Sequence, residues 1–214
     1  MDWQVIIANF PLLMSGLVKS LQLTVVSVLF SFPLGCLIAI GRLSHRRWLS
    51  GASTAFVNVL RSNPLILILF WFYFLVPLIT GRNVNDLTSI IVAFIVFFAA
   101  YFAEIVRSGI QSVGVRQIQA GLSSGLTYAQ TMRHIVLPQA IRAMLPALIT
   151  QCIVVFQGTT VVYVIGYSEL LHTAASIAER TVRPVELYVT VAAIYFIVCY
   201  SASRIARHFE KGAA

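Results

Sequence analysis

The stretch SLQLTVVSVLFSFPLGCLIAIG, residues 20–41, carries no charged side chain between Lys19 and Arg42. A helix crossing the hydrocarbon of a bilayer needs about 20 such residues, with a range of roughly 17–25. Four further charge-free intervals meet that requirement: 62–81, 87–103, 143–168 and 187–203. In lipid no water is at hand for the backbone, so only helices and closed barrels can span. The short alternating segments of a barrel are absent from the sequence. The expected fold is all-α and polytopic, with five transmembrane helices at about 18–41, 57–80, 88–109, 140–166 and 186–206.

Composition supports this from the other side. Charged residues are 10% of the 214, against roughly 25% in an average globular protein, and hydrophobic residues are 59%. Mean hydropathy is +0.88. Such a chain has too few charges for a soluble surface and too many aromatic and β-branched residues for disorder. The formal net charge of +8 does not indicate nucleic acid here, because the basic residues stand at the ends of apolar runs.

Their distribution orients the chain. With Met1 outside, the inner segments carry Arg42, Arg46, Arg47, Arg61, Arg107, Arg116, Arg133, Arg142, Arg204, Arg207 and Lys211, and the outer ones only Lys19, Arg82, Arg180 and Arg183. The N-terminus is therefore expected outside and the C-terminus, with a tail at 209–214, in the cytoplasm. Residues 1–16, with Trp3, Phe10 and Pro11, read as a short helix at the outer interface. Residues 43–55 and 82–87 read as connectors, and 169–185 as a polar, partly helical external segment. The odd number of cysteines (Cys36, Cys152 and Cys199, all in apolar runs) argues against a disulfide framework or zinc site. His45, His134, His172 and His208 lie in or near loops, and no GxxxxGK[ST], GxGxxG or HExxH occurs. Neither an enzyme centre nor a cofactor site is expected.

The longest inner segment is 108–142, and loops of that size usually carry function. From Gln119 to Pro138 it reads QAGLSSGLTYAQTMRHIVLP. Leu122 and Leu126, with Met132, Ile135 and Val136, give an apolar face to two short helices hinged at Gly125. Pro138 suits the first turn of the helix that follows.

This segment resembles the EAA loop of ABC importer permeases: Glu-Ala-Ala, three residues, Gly, nine residues, Ile-x-Leu-Pro. Ala120, Gly125, Ile135, Leu137 and Pro138 match, whereas Gln119 stands for the Glu and Gly121 for the second Ala. Other stretches are similar to the polar amino acid subfamily: Gly16-Leu17 with Thr24, Arg61-Ser62-Asn63-Pro64-Leu65, and the run from Ala100-Tyr101 through Glu104 and Arg107 to Ile110. WFYFLVP at 71–77, Phe156-Gln157-x-Thr159, Val162-Tyr163-Val164, and the run from His172 to Arg180 resemble its glutamate/aspartate permeases in particular.

The resemblance implies a type I ABC importer permease domain over 17–208, with a coupling loop at 110–138. It implies a multi-pass bacterial inner-membrane subunit without an ATPase site. Its partners would be a cytosolic ATPase dimer, a second permease, homologous or identical, and a periplasmic solute-binding protein. The implied substrate is a polar amino acid, glutamate or aspartate, with glutamine, histidine, arginine or cystine as alternatives. An ATP-independent channel is the alternative from another class. Small residues at Ala120 and Gly121 would let the ATPase approach closely.

Polar groups inside the spans are the second set of candidates, since an ionised residue at mid-bilayer costs roughly 2.5–3.5 kcal/mol on insertion scales. Glu104, Gln151, Gln157, Gly158, Thr159 and Thr160 are candidates for the translocation path. For Glu104, with Arg107 three residues on, the alternative is an interfacial ion pair that fixes helix depth. For Gln157–Thr160 it is a helix–helix contact built on small and hydroxyl residues. Relatives that carry cationic amino acids often have Lys-Asp where Gln157-Gly158 stands, so an uncharged pair suits an anionic substrate.

Overall fold

The computed structural model describes residues 3–81 and 85–211, apart from the side chains of Thr80 and residues 208–211. Residues 1–2, 82–84 and 212–214, Arg82 among them, lie outside the described residues. Every regular element described is helical: α1 (Gln4–Arg42), α2 (Arg47–Arg61), α3 (Leu65–Phe70), α4 (Val76–Thr80), α5 (Asp86–Ser112), α6 (Val115–Ser123), α7 (Tyr128–Thr131), α8 (Leu137–Gly158), α9 (Leu170–Thr181) and α10 (Pro184–Lys211). Four continuous helices are long and apolar enough to cross a membrane, and the pair α2–α3 makes a fifth if a bent span is counted.

α5 is the central helix. Of its most apolar 18-residue stretch 61% is buried, against 28%, 28% and 17% in the other three long helices. Its Phe94, Phe98 and Phe102 are fully buried, and Phe94 and Phe97 both meet Phe98 edge-on, at 5.5 and 5.2 Å between ring centroids. α1 approaches α5 along small residues, buried Ser27, Ser31, Gly35 and Ala39 at four-residue spacing. A Cβ on Gly35 would lie 2.7 Å from Phe102 Cβ and 2.9 Å from the Ala99 carbonyl oxygen. Lipid is as apolar as a leucine side chain, so helices here gain by close backbone packing rather than by leaving water. The opposite side of α1 bears Val25, Leu29, Leu37 and Ile40, all exposed, as a lipid-facing surface requires.

Among the described residues, those of the expected segment 1–16 form no separate interfacial helix. From Gln4 onward they belong to α1, which is one helix of 39 residues. Leu13 packs with Leu170, Ile177, Leu187 and Val191 of α9 and α10, and Gly16 abuts the Leu170 backbone. That burial carries the helix back past Pro11 to Gln4. The expected span at 57–80 is also not continuous. α2 and α3 meet at 105°, because Pro64 sits in extended backbone (φ −68°, ψ 145°) and has no N–H to continue the ladder. Most of the expected connector at 43–55 is instead the first half of α2.

Two π-helical turns, Trp71–Leu75 and Met132–Val136, each precede a proline by two residues, Pro77 and Pro138. A proline ring collides with the carbonyl four residues back, and a wider turn at that place absorbs the conflict. Consequently α7, the π turn, α8 and a 3₁₀ segment (Thr159–Ile165) form one helix from Tyr128 to Ile165, 38 residues long. The fourth span read from the sequence, which opens at 140, is thus only the C-terminal part of a longer helix.

Candidate functional site

The hinge at Gly125 is built from two helix-end motifs set back to back. Gly125 has φ +83°, a left-handed conformation that glycine adopts without steric cost. The Leu126 N–H donates to the Gly121 carbonyl at 3.2 Å and the Gly125 N–H to Leu122 at 3.0 Å, the pairing of a Schellman turn. Directly after it, the Gln130 N–H donates to the Thr127 hydroxyl at 3.3 Å, and the Thr127 N–H to the Gln130 side chain at 2.8 Å. That capping box opens the long helix. Orphan backbone groups on both sides are thereby satisfied within a few residues, which makes the loop a stiff knob.

Gln119, Ala120, Gly125 and Pro138 are exposed, Ile135 is half-buried, and Leu137 is 37% exposed. Leu122 and Tyr128 stand out at 45% and 59%. Gly121 is buried: a Cβ there would lie 2.7 Å from Thr131 Cγ2 and 2.9 Å from Ile135 Cδ1. It serves the packing of α6 on the long helix, while Ala120 presents the small outer face. Leu122 and Leu126 share no helix face, because α6 ends at Ser123. A small cluster of Val113, Val136 and Ala140, with Ile118 and Met132 against it, ties α6 to α5 and α8.

Glu104 is held more firmly than one helical neighbour would hold it. Arg107, on its own helix, and Arg42, at the end of α1, both donate to its carboxylate. Arg61, at the end of α2, lies 3.4 Å away with its guanidinium 5.4 Å from the Tyr101 ring centroid. Three elements meet on one acid. The sequence marks Arg107 only, since Arg42 and Arg61 are distant along the chain.

Gly158 stands about 9 Å from that cluster along α5, counting the six residues from Phe98 to Glu104. A Cβ on Gly158 would meet Phe98 Cζ at 3.1 Å and Leu65 Cδ2 at 3.3 Å, so this glycine lets α8 lie close to α5 and α3. It is also the last α-helical residue before the 3₁₀ segment. Gln157 is exposed, with its amide 3.7 Å from Cys199 Sγ. It lines a groove of about 330 Å³ with Ile153, Tyr195, Phe196 and Cys199. The Thr160 hydroxyl donates to the Gln157 carbonyl at 2.8 Å, and Gln151 is buried with no partner for its amide nitrogen among the described residues.

Thr159 is buried and leads to residues that the sequence does not mark. Its hydroxyl lies 3.5 Å from that of Tyr195. The Tyr195 and Ser20 hydroxyls donate to Glu169 Oε2 at 3.5 and 3.4 Å. Glu169 is fully buried and caps α9, accepting from the N–H groups of Leu171 and His172 at 2.8 and 2.7 Å. α1, α9, α10 and the end of α8 thus join in one polar knot. Burial pushes the Glu169 carboxyl above the ordinary carboxylate range, against the pull of those N–H groups and of Ser20. Its signal is a polar pair, Ser168-Glu169, just before the apolar Leu170-Leu171. Nothing local distinguishes Tyr195 from the apolar run around it.

The family model for binding-protein-dependent transport system inner membrane components matches residues 31–214. The chain belongs to that family. It is an inner-membrane ABC importer permease, a transport subunit whose ATPase is a separate subunit. Among this family, the glutamate/aspartate import permease protein GltK of Escherichia coli O157:H7 is 40% identical over 220 residues, covering 100% of this chain and 98% of the relative. The probable glutamine ABC transporter permease protein GlnM of Bacillus subtilis (strain 168) is 33% identical over 211 residues, 99% of this chain and 97% of the relative. A crystal structure of an amino acid ABC transporter with histidines contains a chain that superposes with a TM-score of 0.93 at 34% identity, covering 99% of this chain and 98% of that one. The resemblance read from the loop motif and the all-α membrane fold are both borne out.

Proposed function

We propose that this permease carries a polar amino acid, glutamate or aspartate, inward through a pair of permease subunits. A solute-binding protein delivers the substrate from outside, and an ATPase dimer drives the cycle. The observation that carries the reading is the continuous helix from Tyr128 to Ile165. It has the knob at one end and Gln157, Gly158, Thr159 and Thr160 near the other, a lever of roughly 57 Å at 1.5 Å per residue. The ATPase grips the knob through exposed Gln119, Ala120, Leu122 and Tyr128. Because α6 is pinned to α5 and α8, a push there turns both long helices. The N-terminus faces outward and the knob faces the cytoplasm.

Acidic substrate follows from the relatives named glutamate/aspartate permeases and from the uncharged Gln157-Gly158 pair, which puts no negative charge in the groove. Reconstitution in liposomes with the ATPase and binding protein tests the whole. Labelled glutamate should enter only with ATP, and uptake without ATP overturns the reading. Gly125→Val should abolish uptake with insertion intact, since a β-branched residue is ill suited to the left-handed backbone there, whereas Gly125→Asn should keep much of it. Gln157→Glu should slow uptake of acidic substrates, and an unchanged rate removes the argument for substrate charge.

A further inference from the structure

We propose that α2 and the arginines around Glu104 form a binding site for the phosphate headgroup of an anionic phospholipid. The first support is charge. One carboxylate faces the guanidiniums of Arg42, Arg61 and Arg107, leaving two positive charges uncompensated, with exposed Arg46 and Arg47 at the start of α2. Asp86 opens α5 at its far end, and Glu169, Glu179 and Glu186 belong to α9 and the beginning of α10, at that same far end. Among the residues whose side chains are described, Glu104 is therefore the only carboxylate at this end of the bundle.

Depth is the second support. Glu104 lies 18 residues along α5 from Asp86, about 27 Å at 1.5 Å per residue. The hydrocarbon is about 30 Å thick, so the cluster sits where hydrocarbon gives way to headgroups. The third support is the attitude of α2. It meets α3 at 105° and so lies across the direction in which the span runs. Val57 and Leu60 pack inward, while Trp48 (69%) and Val59 (55%) are exposed. An amphipathic helix with an exposed tryptophan and flanking arginines has the composition of one lying in the interface. Arg61, at its end, is the most exposed of the three arginines, at 40%. It is placed to give a phosphate the two-pronged contact that guanidinium makes. A free anion would use the same donors but has no need of the apolar helix beside them.

The test uses the full chain in its importer complex, reconstituted in phosphatidylcholine nanodiscs with a minor fraction of phosphatidylglycerol and analysed by native mass spectrometry. The wild type should retain phosphatidylglycerol over phosphatidylcholine. Arg61→Gln should reduce that preference about fivefold, the equivalent of one basic residue at a membrane surface. Arg46→Gln with Arg47→Gln, both on the surface, should reduce it independently of any folding effect at Arg61. Arg133→Gln, on the knob and also exposed, should leave it unchanged. An undiminished preference in both Arg61→Gln and the double variant overturns the proposal. An equal loss in Arg133→Gln does so too, by showing a diffuse charge effect. Displacement of the retained lipid by millimolar inorganic phosphate would assign the site to a soluble anion and overturn it as well.

Discussion

At Gly121 the width of one methyl group decides how the knob is built. A Cβ there would overlap Thr131 Cγ2 and crowd Ile135 Cδ1, at 2.7 and 2.9 Å. Overpacking of this kind costs typically about 1–3 kcal/mol. Gly121→Ala should therefore lower the melting temperature of the purified chain and reduce ATP-driven uptake. Adding Thr131→Ala, which removes the nearer obstacle, should restore both. If Gly121→Ala alone melts and transports like the wild type, the packing of α6 on the long helix is not what stiffens the knob. Gly125 is legible in the sequence because a left-handed turn has a local signature. Which way Gly121 faces is not, because its neighbour Thr131 lies further along the chain and across the turn. Glu104 presents the same difficulty: its i+3 partner is visible, and Arg42 and Arg61 are not.

Among the elements, α9 depends most on a single side chain. Glu169 caps it, and through Ser20 and Tyr195 it also fixes α1 and α10. Glu169→Ala removes a cap worth about 0.5–2 kcal/mol and strands the hydroxyl and amide donors around it, so the loss should reach several kcal/mol. Glu169→Gln keeps an acceptor and avoids burying a charge, and should stay close to the wild type. The sign of the pH effect follows from the raised carboxyl. In the folded chain Glu169 takes up its proton at a higher pH than it would unfolded, so acidification through that raised range adds stability. His172 and Tyr195 are its titratable neighbours, and both are kept in the Gln variant. The melting temperature of wild type minus Glu169→Gln should rise as pH falls below neutral; a flat difference means the carboxyl is not raised. Charge-free intervals locate the long helices well, because an uncharged run long enough to span has few other destinations. They cannot register the sharp bend at Pro64 or the continuation of α1 past Pro11. The bend leaves an interval's length unchanged, and the continuation depends on Leu13 and Gly16 packing against α9.

Across the whole molecule the charges divide by end. Arg42, Arg46, Arg47, Arg61, Arg107, Arg116, Arg133 and Arg142 gather where the knob is, and Glu169, Glu179, Arg180, Arg183 and Glu186 where α9 turns into α10. Basic residues near the ends of spans favour the cytoplasmic side, and under the proposed function this one asymmetry gives one end to an ATPase and the other to a binding protein. All the elements are in register with that division: α1 and α5 run toward the knob end, the Tyr128–Ile165 helix runs away from it, and α10 returns. In a background with Cys36, Cys152 and Cys199 replaced, Ser123→Cys on the knob should react with an impermeant maleimide only in inverted vesicles. Glu179→Cys on α9 should react only in right-side-out spheroplasts. Both positions are exposed in the chain, and with the permease expressed without its ATPase a failure to react from one side cannot be blamed on burial. The reverse pattern would put the knob outside the cell, where no nucleotide is hydrolysed on its behalf, and the lever from Tyr128 to Ile165 would have nothing to push it.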